Sequence, residues 1–447
     1  MTSDRYVVLG LAPARSGWFD AVAQWSNSAA IAAEFIKCVS VEEVRARLAS
    51  GRRHSALLVD AASPALDRDL VQTALEAMTP VVVVRDNAHP PTALLGIGVA
   101  TELGPDFNRD DLLEALATHC RPVGRGDNVP GALGDPVPAG WLAQMYTVCG
   151  AGGTGSSTIA IALAQGLSSD ARNSRRVVLA DLARTANQAM LHDALELGPG
   201  VQELVEAHRL GSPDPEEVRR MTFDVPSRGY QLLLGLRQPT AWPALRPRSI
   251  DAAIEGLRRA FQVVVADVTG DFEGESEGGS ADVEERNHLA RGSALRSSVV
   301  LAVGMPGLKG VYSLSGLIRG LVAAGVNPAR IIPVINRSPR NPRARAETAR
   351  ALNALLDSTS ATLPLATNAI AGSLATASPL AVPERKIEDV LREGAPLPGA
   401  IGDPVTRAVE IVSDRLADAA PASASPQRVA PGSLGLWSDA EFETGNA

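Results

Sequence analysis

Lysine is nearly missing from this chain. Lys37, Lys309 and Lys386 are the only three in 447 residues, and arginine carries almost all the positive charge. With heavy use of alanine, that substitution pattern suggests a high-GC, bacterial genome. Cysteine is scarce as well: Cys38, Cys120 and Cys149 are odd in number and lack CxxC spacing. That excludes a disulfide framework and a thiolate zinc site, and leaves buried, reduced thiols. His54, His89, His119, His192, His208 and His288 show no metal-ligand spacing. With no Ser-His-Asp or Cys-His arrangement either, hydrolase chemistry lacks its residues. No apolar run is long enough to span a bilayer, and the amino terminus "MTSDRYVVLGLAPARSG" has no basic region ahead of an apolar core. The expectation is a soluble, cytoplasmic protein. A net charge of -8 leaves no chain-wide footprint for nucleic acid.

What is present is hydrophobic content of 45% over a length that suits two folded units. In residues 1–122, "RYVVLGLA", "SALLVDAAS" and "TPVVVVRD" read as buried parallel strands. "SVEEVRARLASG" and "NRDDLLEALATH" read as helices capped by Ser40 and Asn108. The third strand ends "LLVDAASP", and the last helix follows "GPDF". This unit resembles a response-regulator receiver, with Asp60 at the phosphoacceptor position and Pro64 four residues on. A phosphorylatable receiver needs an acidic pair after the first strand, where this chain has "LGLAPA", and a lysine where it has Gly104. The unit is therefore expected to be a pseudo-receiver, with Asp60 a strand-end residue.

Residues 123–141, dense in Gly and Pro, read as a linker. A second α/β series fills 142–420, with strands expected at "AQMYTVCG", "RRVVLAD", "YQLLLGL", "FQVVVADVTG", "SSVVLAVG" and "RIIPVINRS". Strand and helix in alternation imply a mostly parallel sheet with helices on both faces and a ligand at the carboxyl ends of the strands. The acidic, Gly-rich and Ser-rich stretch 271–293 reads as a loop. Residues 421–447 read as a disordered tail, with Leu434, Leu436, Trp437 and Phe442 a candidate docking motif.

The glycine loop "GAGGTG", Gly150 to Gly155, admits two readings. As G-x-G-x-x-G between a strand and a helix it fits an NAD-type dinucleotide site, with Asp181 as the ribose acid, somewhat far downstream. As a degenerate P-loop, the amides of Gly152, Gly153, Thr154, Gly155, Ser156 and Ser157 cradle phosphates at a helix start, with Ser157 and Thr158 at the hydroxyl positions. The second reading also uses Asp267 at a strand end, followed by Gly270, and Asn336 at another, suited to an adenine edge.

"AGGTGSST", "VVLADLARTANQAML", "VVVADVTG", "PVINRS" and "TLPLATNAIAGSLATASPL" follow one another as in the deviant-Walker ParA/MinD superfamily, which this chain resembles over roughly residues 5–420. With a pseudo-receiver in front, the resemblance is to the CpaE/TadZ branch, including septum site-determining relatives. It implies a P-loop fold, ATP held with Gly150 and Gly270, and magnesium held by Ser157, Asp181 and Asp267. It also implies a homodimer, cytoplasmic with recruitment to the inner face of the membrane, that positions cell-division, partition or pilus and secretion machinery. Where the family has two lysines this chain has Ala151 and Ser156, and where it has a water-orienting acid, Ala183. Phosphoryl transfer works by positioning and charge neutralisation. The expectation is a spatial regulator or scaffold with no catalytic residue and little or no hydrolysis. A weak Mg-ATPase using Arg184 or a partner's arginine is the enzyme alternative. The arginines of "NRSPRNPRARAETAR" are a candidate surface for DNA or anionic lipid.

Overall fold

The computed structural model describes residues 5–13, 16–28, 30–50, 52–85, 95–123, 142–173, 176–194, 196, 198–275, 279–359 and 376–419. The expected linker beyond Val123 and the expected tail lie outside the described residues.

The amino-terminal unit runs β1 (Tyr6–Leu11), α1 (Gly17–Asn27), β2 (Ala33–Cys38), α2 (Val41–Ala49), β3 (Ala56–Asp60), α3 (Arg68–Glu76), β4 (Val81–Val84), β5 (Thr101–Leu103) and α4 (Arg109–His119). Its five parallel strands lie in the order β2-β1-β3-β4-β5. Every residue of "ALLVD" and "VVVV" is buried, as central strands covered on both faces require. Ser40 accepts from the Glu43 amide at 3.2 Å, and Asn108 and Asp111 form a reciprocal capping box, so both expected caps start helices. β2 and β5 form the two edges of the sheet. They carry Glu34, Lys37 and Glu102, which break the apolar run that marks the inner strands.

The second unit runs β6 (Gln144–Gly150), α5 (Ser156–Ser168), β7 (Val177–Asp181), α6 (Gln188–Leu191), α7 (Val201–Leu210), α8 (Pro215–Arg219), β8 (Phe223–Val225), β9 (Tyr230–Leu233), α9 (Pro247–Ala260) and β10 (Val263–Thr269). It continues through α10 (Ala281–Arg296), β11 (Val299–Gly304), α11 (Leu308–Ala323), β12 (Ile331–Ser338), α12 (Pro342–Thr359), β13 (Leu380–Pro383), α13 (Glu388–Arg392) and α14 (Gly399–Ala419). The sheet order is β13-β12-β11-β6-β10-β7-β9-β8, parallel except for the β8–β9 pair. The chain is thus α/β, with one buried apolar cluster on each face of this sheet. All six expected strands form.

The stretch 271–293 is only partly a loop: α10 begins at Ala281, behind Ser280, whose hydroxyl accepts from the Asp282 amide at 3.2 Å. Of the acidic residues that suggested a loop, Asp282 and Glu284 form the first turn of this helix, where negative charge meets the positive end of the helix dipole.

The two units dock through α3. Arg68 caps the carbonyl end of α7, its Nε donating to His208 O and its Nη2 to Gly211 O, both at 2.6 Å. In the other direction, Arg248 of α9 donates to Asp69 O at 2.7 Å, Thr73 Oγ1 at 2.6 Å and Glu76 Oε2 at 2.6 Å. Ser249 Oγ donates to the buried Asp69 Oδ2 at 3.3 Å, and Arg209 faces Asp67 at 3.6 Å. Burial, then the neighbouring Asp67, pushes the Asp69 carboxyl up from its usual range.

Candidate functional site

β6 is the first strand of the second sheet and lies in its middle, between β10 and β11, so the chain leaving its carboxyl end enters the crevice where such sheets bind ligands. There the backbone folds into a tight nest. Gly153 and Gly155 both adopt φ of +82°, a region costly for residues with a Cβ. The Thr154 amide and hydroxyl both donate to Ala151 O, at 3.2 and 2.7 Å. Ala151, Gly152 and Gly153 are exposed at the apex, Ser156, Ser157 and Thr158 open α5, and Gly270 backs onto the Gly150 carbonyl. Asn336 Nδ2 donates to Thr154 O at 2.8 Å, and its Oδ1 accepts from the Arg337 amide at 2.9 Å. Both ends of this carboxamide are therefore used within the protein, and Asn336 braces the loop from beside Gly155, where a Cβ would strike its Nδ2.

Asp181 and Asp267 end up on neighbouring strands in direct register, 0% and 2% exposed. Asp181 accepts three main-chain amides: Ala183 at 3.3 Å on Oδ1, Asn187 at 3.0 Å and Gln188 at 2.8 Å on Oδ2. The Gln188 side chain, 0% exposed, donates from Nε2 to Asp267 Oδ2 at 2.7 Å and to Ser157 O at 3.3 Å, while its Oε1 is buried without a donor. Burial, then for Asp181 the charge of Asp267, pushes both carboxyls up, against the opposing hydrogen bonds of Ser157 and Gln188 on Asp267. Among the described residues no cation pairs with either acid. Arg184 turns away to Asp271, its Nη2 at 3.2 Å from Oδ2.

Ser157, Asp181 and Asp267 are thus brought together, but this arrangement does not fit a divalent ion. Both oxygens of Asp181 already accept amides, and an amide nitrogen stands on Asp267 where an ion would bind. Among the described residues no group of three His, Cys, Asp or Glu side chains gathers as a metal site. Asp181 is equally closed to a ribose hydroxyl, which removes the acid that the dinucleotide reading requires.

Gln188, whose side chain lies between Ser157 and Asp267, is the residue of this corner that motif reasoning missed. Gln188 begins a helix of only four residues, too short for periodicity to mark it.

In the amino-terminal unit, Asp60 Oδ2 accepts from Ser16 Oγ and Trp18 Nε1, both at 2.8 Å, and Oδ1 accepts from the Ala62 amide at 2.9 Å. The position a phosphoryl group would need is filled by Ser16 and Trp18, which follow β1. Incubation with acetyl phosphate, followed by intact-mass measurement, is expected to show no phosphoryl adduct; an adduct mapped to Asp60 would contradict this geometry.

The chain is similar in fold to solved ParA/MinD-type ATPases. One is a ParA family ATPase from Chlorobium tepidum TLS, at 14% identity and TM-score 0.42, covering 61% of this chain and 98% of that one. Another is the septum site-determining protein MinD complexed with Mg-ADP from Pyrococcus horikoshii OT3, at 17% identity and TM-score 0.39, covering 61% and 95%. A third is the MinC:MinD cell division protein complex of Aquifex aeolicus, at 15% identity and TM-score 0.40, covering 62% and 96%. No family profile and no curated protein matches the chain. Among the described residues, no helix is long and apolar enough to cross a membrane.

Proposed function

We propose that this protein is a ParA/MinD-like scaffold of the CpaE/TadZ kind, which holds a phosphate group at its glycine loop without hydrolysing it and positions septum-site or pilus and secretion machinery. The observation that carries the reading is a contrast within one site. The amide loop is open at its apex, whereas the acids behind it are sealed by Gln188 and, among the described residues, uncompensated by any cation. Phosphoryl transfer depends on neutralising charge, and one well-placed arginine is worth about 10³ to 10⁵ in rate. Here Ala151, Ser156 and Ala183 stand at the charged positions, and Arg184 is already paired. The nucleotide, ATP in this reading, is a conformational ligand.

Function then resides in surfaces. Arg337 near the end of β12, and Arg340, Arg343, Arg345 and Arg350 beyond it, are exposed and, among the described residues, in no ion pair; in this reading they take an anionic partner. Partners of this scaffold are cell-division or pilus proteins and a second copy of the chain, with membrane recruitment through a partner.

Calorimetric titration with ATP, ADP and NADH, followed by phosphate release, tests the reading. ATP binding without turnover is expected. Steady turnover supports the weak ATPase instead, and NADH binding alone restores the dinucleotide class.

A further inference from the structure

Gln188 Nε2 offers two N–H groups and meets two oxygens, Asp267 Oδ2 at 2.7 Å and Ser157 O at 3.3 Å. Turning the carboxamide over would set Oε1 against the carboxylate, so charge fixes which end faces Asp267. The residue is also clamped by its main chain. Its amide donates to Asp181 Oδ2 at 2.8 Å, and its carbonyl accepts from His192 Nδ1 at 2.8 Å. A carbonyl only accepts, so Nδ1 carries the proton and Nε2 the lone pair. The Tyr230 hydroxyl, 2.7 Å away on β9, therefore donates to Nε2. Tyr230 is 0% exposed, so the far end of this chain of bonds is fixed in the core. Gln188 is thus held at its main-chain amide and carbonyl, and its side chain by the two Nε2 bonds, which an entering ion would have to break.

We propose that Gln188 is the protein's own occupant of the cation corner, so that the glycine loop takes a phosphate group free of any divalent ion. For its ligand the proposal rests on the phosphate-holding reading of the loop. A magnesium ion needs several oxygen ligands in near-octahedral array. Here it would have to strip an N–H from Asp267, leave the carboxamide unpaired in a closed site, and find both Asp181 oxygens engaged.

The test uses the full chain, with Mn²⁺ as the cation probe in thermal unfolding and ATP titrated in magnesium and in EDTA. For the native sequence, Mn²⁺ leaves the melting temperature unchanged, and ATP affinity agrees within about two-fold in the two buffers. Gln188→Glu adds a carboxylate at the corner, and saturating Mn²⁺ is expected to raise its melting temperature by about 5 °C. Gln188→Ala, which empties the corner, gains one bound Mn²⁺ and answers the same question if the glutamate variant does not fold. Stabilisation of the native chain by micromolar Mn²⁺, lost in Asp267→Asn, overturns the proposal, as does ATP binding that falls about ten-fold or more in EDTA. ATP binding in neither buffer overturns the phosphate-holding reading and the metal-free ligand with it. The Mn²⁺ arm needs no nucleotide, and so separates that failure from a failure at Gln188.

Discussion

Arg248→Ala is expected to release the amino-terminal unit from the second one, and to do so more readily as added salt screens the remaining Arg209–Asp67 contact. Arg248 reaches across with three hydrogen bonds, to Asp69 O, Thr73 Oγ1 and Glu76 Oε2, and its removal also leaves Asp69 facing only Ser249 and more distant arginines. Hydrogen bonds involving a charged group contribute about 1.5 to 3 kcal/mol each, but the three share one side chain and do not add, so a loss of about 3 kcal/mol at the seam is the expected scale. The Glu76 bond is solvent-exposed and contributes least; the bonds to Asp69 O and Thr73 are half-buried and decide the outcome. Amide exchange in α3 and at the end of α7 is expected to rise together, because Arg68, which caps α7, leaves with α3. Unchanged exchange at both places, with an unchanged radius of gyration in solution scattering, would show that apolar packing alone holds the units. Arg68→Ala gives the complementary result, freeing the end of α7 without touching α9.

The inner strands of both sheets were legible in the sequence because strands buried on both faces are apolar along their length, as "VVVV" is and "VVLAD" is up to its final Asp181. The glycine loop was legible because its backbone demands positive φ, which the sequence can satisfy only with glycine at Gly153 and Gly155. Edge strands were not: β2 alternates charge with apolar residues, and β5 is three residues long. The docking seam was hidden for a different reason. Asp67, Asp69 and Glu76 look like the solvated face of a helix, and only the fold reveals that Arg209 and Arg248 lie opposite them. Gln188 is the extreme case. A glutamine in "TANQAML" carries no pattern of its own, and its role comes from three partners at Asp181, Ser157 and Asp267, which the chain brings together only in the folded sheet. Asp181 and Asp267 were found by order along the chain, but their closure by amides was not, because main-chain donors leave no trace in side-chain identity.

Two buried histidines are expected to make acid weaken this protein between about pH 6.5 and 4, above the range in which ordinary exposed carboxylates titrate. His208 is 3% exposed, with Nδ1 donating to Leu204 O at 2.8 Å and its ring lying against Gly256. Burial, with Arg68 and Arg259 nearby, pulls its pKa down to about 4, against the opposing pull of the Leu204 bond. Burial, aided by Arg228, brings His192 down to about 4 as well. An unfolded histidine takes up its proton near 6.5, so between about 6.5 and 4 the unfolded chain binds protons that the folded one refuses. Stability from these groups is therefore complete above pH 6.5 and is lost steadily as pH falls to about 4, by about 3 kcal/mol for His208 alone. His208→Asn retains a donor for the Leu204 carbonyl and removes the titration, so its melting temperature is expected to fall less steeply with pH than that of the native chain, even if a small cavity lowers it at pH 7. Equal slopes in the two proteins would exclude His208 as the acid-sensitive group. Because the charge would appear beside Arg68, which holds α3 to α7, the loss is expected first at the seam between the units, with α3 amides exchanging before those of β6 and β10.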